Sequence, residues 1–166
     1  MNTVQMSGSD SPADAVPSIE IDEYVPLRFR TYRKAIGAAY VRLGNYQTTL
    51  TELIAHPASR TLRGVTLSFF KSYVDWPRIG ATAPTEGLPV LRADWGSGNR
   101  IDIARDFSVS LRENELLVAW DELSDLSSSL VFGNAQFLIT GSELRGIRFF
   151  NLSDQDVRAL GSYGKS

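Results

Sequence analysis

The sequence contains no cysteine and a single histidine, His56. The first absence excludes disulfides, thiolate metal sites and a cysteine nucleophile. The second excludes metal sites built on several histidines and leaves any imidazole acid–base scheme to one residue, which stands directly before Pro57. Nowhere is there a run of about 18 apolar residues, so no spanning helix is expected. Met1 to Ser18 lacks a basic stretch followed by an apolar one, so no signal peptide is expected either, and a cytoplasmic location is the default. Basic residues are missing from the first 24 positions, where five acids stand.

What is present is segregated charge. Between Val25 and Arg78 nine Lys/Arg (Arg28, Arg30, Arg33, Lys34, Arg42, Arg60, Arg63, Lys71, Arg78) stand against two acids, Glu52 and Asp75, a local net of +7 in a chain of formal net charge −2. Such a distribution favours an anionic partner or head-to-tail contact between copies, because opposite patches attract while like patches fix the register. At 166 residues and 43% apolar content the chain is long and apolar enough for a self-sufficient core.

Residues 1–18 are rich in Ser, Asp, Gly, Pro and Ala without periodicity, which predicts a flexible acidic arm. A single domain is expected over 19–160, with a flexible tail at 161–166. Val25, Leu27 and Phe29 alternate with Arg28 and Arg30, the pattern of a half-buried strand with a basic outer face. Ala39, Val41 and Leu43 suggest a second strand. Leu50, Leu53 and Ile54 fall on one helical face, predicting a helix over Tyr46–Ala55, although three threonines weaken it. A long strand follows from Gly64, and residues 76–99, punctuated by Pro77, Pro84 and Pro89 and four glycines, read as the main loop. Strands are then expected around Ile101, from Phe107 to Leu111, through ELLVAW after a turn at Glu113-Asn114, on both sides of Gly133-Asn134, and from Arg145 to Leu152. Ser153, followed by Asp154 and Asp156, predicts the N-cap of a short helix running to Leu160. The sum is an α+β fold: a mainly antiparallel sheet with one inserted helix and a short C-terminal helix. A β-sandwich is the alternative, and it requires Tyr46–Ala55 to be something other than a helix.

Motifs for chemistry are weak. Asp94, Asp102 and Asp106 match no EF-hand spacing and alternate with Arg92, Arg100 and Arg105, which suits surface ion pairing better than a carboxylate site. Gly96-Ser97-Gly98-Asn99 lacks the spacing of a phosphate-binding loop and of a hydrolase nucleophile elbow, and reads as a turn. His56 suits a polar contact at a helix end. No catalytic residue, metal site or cofactor is expected, and the chain is not expected to be an enzyme or to take a small-molecule substrate.

The stretch RFRTYRK is more informative. A period of two puts Arg28, Arg30, Tyr32 and Lys34 on one face, with Arg33 beside them, a cationic strip suited to phosphates of nucleic acid or anionic lipid. Pairing with the protein's own acids, Glu20, Asp22 and Glu23, is the competing account. No RNP1-like pattern of an RNA-recognition motif occurs. Trp76 and Trp95, inside the expected loop, are candidate interface anchors or covers for the core edge.

Taken in order, VPLRFRTYRK, NYQTTLTELIAH, RGVTLSFFKSY, LPVLRADWGSG and FSVSLRENELLVAWDE resemble the plan of rhabdovirus matrix proteins, especially those of plant rhabdoviruses, over roughly residues 25–140. The arm is acidic where many animal-virus members are Lys-rich, and no P-P-x-Y motif is present. The resemblance implies a non-enzymatic, virion-associated structural protein that self-associates, condenses a nucleocapsid and apposes it to an anionic membrane as a peripheral protein. A monomeric accessory binding module, for a host factor or nucleic acid, is the other expectation from these residues.

Overall fold

Period-two alternation, with little helical periodicity, organises the chain from Val4 to Phe149. The computed structural model describes residues 3–34, 37–95 and 98–164. Among them the strands are β1 (Val4–Asp10), β2 (Ser18–Glu20), β3 (Leu27–Arg30), β4 (Ala39–Leu43), β5 (Leu50–Ala55), β6 (Leu62–Phe69), β7 (Pro84–Glu86), β8 (Leu88–Arg92), β9 (Arg100–Ile103), β10 (Ser108–Arg112), β11 (Glu115–Ala119), β12 (Ser128–Phe132), β13 (Ala135–Thr140) and β14 (Glu143–Phe149). One helix, α1 (Asp154–Gly161), follows them.

The strands form two sheets. One has six strands in the order β2-β3-β6-β5-β4-β9. The other has eight: β10-β11-β14-β13-β12-β7, with β1 paired to both β14 and β8. Strand β14 has β13 along one edge, while β1 (Val4↔Leu144) and then β11 (Leu116↔Phe149 to Ala119↔Gly146) share the other. That arrangement curls the sheet. All strand pairs are antiparallel except β4 with β9 and β7 with β12.

The inner faces meet around Phe29, which is fully buried and packs against Phe137 and Phe149 with ring centroids 6.3 and 6.0 Å apart. These tilted aromatic contacts add to the apolar area removed from water. The eight-stranded sheet is also covered on its outer face, where Trp76, Ile79 and Leu126 pack on Leu117, Ala119, Leu123 and Leu138. Burial from both sides explains why Leu116, Leu117, Val118 and Ala119 are apolar in succession.

The fold is therefore predominantly β, and the α+β expectation is overturned in favour of the sandwich. The decisive segment is Tyr46–Ala55. The side chain of Asn45 accepts from the backbone N–H groups of Gln47, Thr48 and Thr49 at 2.7–3.1 Å, closing a tight turn, after which Leu50–Ala55 runs as β5 between β4 and β6. Gly44, with φ of 135°, permits the turn, since a Cβ there would lie 2.2 Å from the Thr49 carbonyl oxygen. Local side-chain capture of the backbone, with β-branched Thr48, Thr49 and Thr51, prevails over the helical spacing of three apolar residues.

Three other segments differ from the sequence-based reading. Residues 4–10, assigned by composition to a flexible arm, form β1, whose Val4 and Met6 are buried. Within the expected loop at 76–99 lie β7 and β8. In the expected tail the Tyr163 hydroxyl donates to the Asp22 carbonyl. Helix α1 matches its predicted start: Ser153 accepts from the Asp156 N–H at 3.0 Å.

Candidate interaction face

The register of the six-stranded sheet arranges its outward side chains in rows. One row reads Glu20, Arg28, Thr66, Glu52, Arg42, Asp102 across β2, β3, β6, β5, β4 and β9. Acids and bases alternate there, and cross-strand opposite charges stabilise such a face. The next row reads Ser18, Arg30, Gly64, Ile54, Tyr40, Arg100. It holds two cations and no carboxylate.

Arg28 and Arg30 thus share a face, as their alternation predicts, but have different surroundings. Arg28 is half-buried and its Nη1 stands 2.6 Å from Asp22 Oδ2. The same carboxylate accepts from the N–H groups of Val25 and Tyr24; those two bonds, followed by the one from Arg28, hold its pKa below the ordinary aspartate value. Arg30, Arg33 and Lys34 are exposed and make no ion pair among the described residues. Arg42 is 3.8 Å from Asp102, which also lies 3.5 Å from Arg100. Arg63 is buried at the end of the sandwich, donating to Thr31 Oγ1 at 2.9 Å and facing Asp14 at 3.5 Å. The acidic segment after β1 therefore neutralises a cation of its own subunit.

Both tryptophans fold back. Trp76 covers the outer face of the eight-stranded sheet under the Arg112 guanidinium, 4.3 Å from its ring centroid. Trp95 packs against the main core, with the Arg60 guanidinium at 4.3 Å. Each cation sits over the ring, an arrangement that favours holding the side chain in place. Strand β3 ends at Arg30, so the expected alternation does not continue through Tyr32 and Lys34; Arg33 and Lys34 are exposed in the bend that follows, and Arg28 is engaged by Asp22. Arg100 joins the row of Arg30 only through the parallel pairing of β9 with β4. Sequence reasoning missed that placement, because a non-local strand pairing leaves no local signal.

The remaining candidates are accounted for within the fold. His56 Nδ1 accepts from the N–H groups of Ala58 and Ser59 at 3.1 and 3.3 Å, ordering the turn between β5 and β6. No helix ends there. Gly96 and Ser97 lie outside the described residues; Asn99 accepts from Arg60 Nη1 at 3.3 Å and from the Tyr40 N–H at 2.7 Å. Among the described residues no group of acidic and histidine side chains is arranged to hold a metal ion, and no helix is long and apolar enough to cross a membrane.

A cleft of about 670 Å³, open to solvent, is lined by Asp106, Asp121 and Glu122 with Arg78, Phe107 and Trp120. Asp106 accepts from Thr49 Oγ1 at 2.5 Å and from the Phe107 N–H at 2.9 Å, and Asp121 pairs with Arg105 at 3.1 Å. Two of its three carboxylates are thus tied into the fold. Comparison with known proteins finds no matching family model and no matching curated protein.

Proposed function

We propose that this chain is a non-catalytic assembly protein, matrix-like in role, which self-associates and meets an anionic partner through the cationic end of its six-stranded sheet. The observation that carries the reading is Arg30, exposed and without an ion pair among the described residues, followed closely in the chain by exposed Arg33 and Lys34; Arg100 of the same row is engaged by Asp102 at 3.5 Å. A nucleocapsid suits this face better than insertion into a bilayer, since the exposed large apolar side chains, Val16, Tyr24, Phe69 and Val74, stand outside the row.

The test is light scattering of the full chain over a concentration and salt series, combined with co-sedimentation against single-stranded RNA and against vesicles of anionic lipid. The expected result is oligomers that dissolve with added salt, and RNA binding that Arg30→Glu/Arg33→Glu/Lys34→Glu abolishes while thermal stability stays near that of the parent. A monomer at every concentration, or binding indifferent to the triple change, overturns the proposal.

A further inference from the structure

We infer that the acidic counterpart of the Arg30–Lys34 end is the carboxylate cleft of a second copy of this chain, so that copies join head to tail. This rests on the assembly reading above and names its partner.

The two features lie at opposite ends of the molecule. Strand β4 runs from the cationic end, where Tyr40 pairs with Arg100, to the far end, where Leu43 pairs with Ile103. Its span from Ala39 to Leu43 is about 14 Å at the usual rise per residue. Beyond Leu43 stands the Asn45–Thr49 turn, and Thr49 holds Asp106 of the cleft. A single subunit therefore cannot bring its cationic end into its own cleft. Two cationic ends repel each other, as do two clefts, and only the unlike ends of two copies attract.

The cleft suits the role in shape and charge. Phe107, Trp120 and Pro77 form apolar walls about a concavity of roughly 670 Å³. Asp106, Asp121 and Glu122 share the cleft with Arg78, while Arg105 is bonded to Asp121 and Arg145, which bonds the Glu122 carbonyl at 3.3 Å, is itself matched by Asp125 and Glu143. Glu122 is exposed and makes no ion pair among the described residues, so it remains available to an incoming Lys34 or Arg33. The resulting contact joins different patches on the two partners, which propagates into a ring or a filament instead of stopping at a symmetric dimer.

Two variants of the full chain test this by sedimentation velocity at low salt. Arg30→Glu/Arg33→Glu/Lys34→Glu removes the head, and Glu122→Lys removes the tail. Each alone is expected to weaken self-association by at least about tenfold. Mixed in equal amounts they are expected to associate again, since one intact head and one intact tail remain and the reversed charges of the two altered ends also match. Circular dichroism checks folding, and Lys34→Glu alone replaces the triple change if that variant misfolds. A mixture that stays monomeric, or Glu122→Lys chains that assemble like the parent, overturns the inference. If Glu122→Lys assembles normally while the head variant still loses RNA binding, the head-to-tail contact fails and the assembly reading stands. A monomeric parent overturns both.

Discussion

Asp22 holds Arg28 at 2.6 Å, while Arg30, two residues along the same face of β3, makes no ion pair among the described residues. Neighbouring arginines with the same orientation therefore have different duties. Arg28→Glu is expected to lower the melting temperature by a few degrees, since it sets a third carboxylate beside Asp22 and Glu20. Arg30→Glu is expected to leave the melting temperature unchanged and to weaken RNA binding or self-association. Thermal denaturation and sedimentation of the two single variants decide it, and equal effects on both readouts count against the division. The Asp22 contribution has a defined acid window. Its folded pKa is depressed, so the stabilisation is present above the ordinary aspartate value and is lost as pH falls through the lowered one.

Asn45 organises the turn that replaces the expected helix. Its Oδ1 accepts three backbone N–H groups, and its Nδ2 reaches Thr48 Oγ1 at 2.8 Å. Asn45→Ala should cost about 1–2 kcal/mol, the scale of a lost side-chain cap on backbone donors. Urea denaturation measures it, and an unchanged midpoint would show that Thr49 and Gly44 suffice to close the turn.

Trp76 covers Leu117 and Leu138 under the Arg112 guanidinium. Trp76→Ala should therefore destabilise the chain by about 2 kcal/mol or more through lost apolar burial and the lost cation–ring contact. Self-association should be unaffected. The reverse outcome, intact stability with lost assembly, would make Trp76 an interface anchor.

Tyr73 fastens the C-terminal helix to the sandwich. Its hydroxyl donates to the Leu160 carbonyl at 2.5 Å, and burial raises its pKa well above the ordinary tyrosine value, with nearby Tyr163 adding to the rise. Because the folded pKa is the higher one, the contribution is full below about pH 10 and declines as pH rises toward the folded value. Tyr73→Phe is expected to cost about 1 kcal/mol near neutrality and to flatten the alkaline loss of stability. Chemical denaturation between pH 8 and 11, compared for parent and variant, reads both effects.

Hairpins with local signals were legible. The turn at Glu113-Asn114 joins β10 to β11, that at Gly133-Asn134 joins β12 to β13, and Ser153 starts α1 where an N-cap residue followed by acids says it should. What escaped was non-local. Strand β1 has the composition of a disordered arm and is ordered by partners at Leu88–Arg92 and Glu143–Leu144. Prolines at 84 and 89 read as loop punctuation, yet β7 and β8 accommodate them at a sheet edge and in a short strand. For the candidate face, alternation correctly turned Arg28 and Arg30 outward. Which of them was neutralised depended on the Asp22 turn, a matter of backbone geometry invisible to a count of charges.

The pairing of β1 also constrains when this chain becomes native during synthesis. Val4 and Gln5 are made well before their partners in β14, Leu144 and Glu143. Until β14 is made the edge of β8 has no β1 to cover it unless the nascent β1 pairs there first, and the ladder to β14 waits for the late strand. Closure of the eight-stranded sheet is consequently a late, long-range event, and the interval before it is when a bare strand edge is open to another chain.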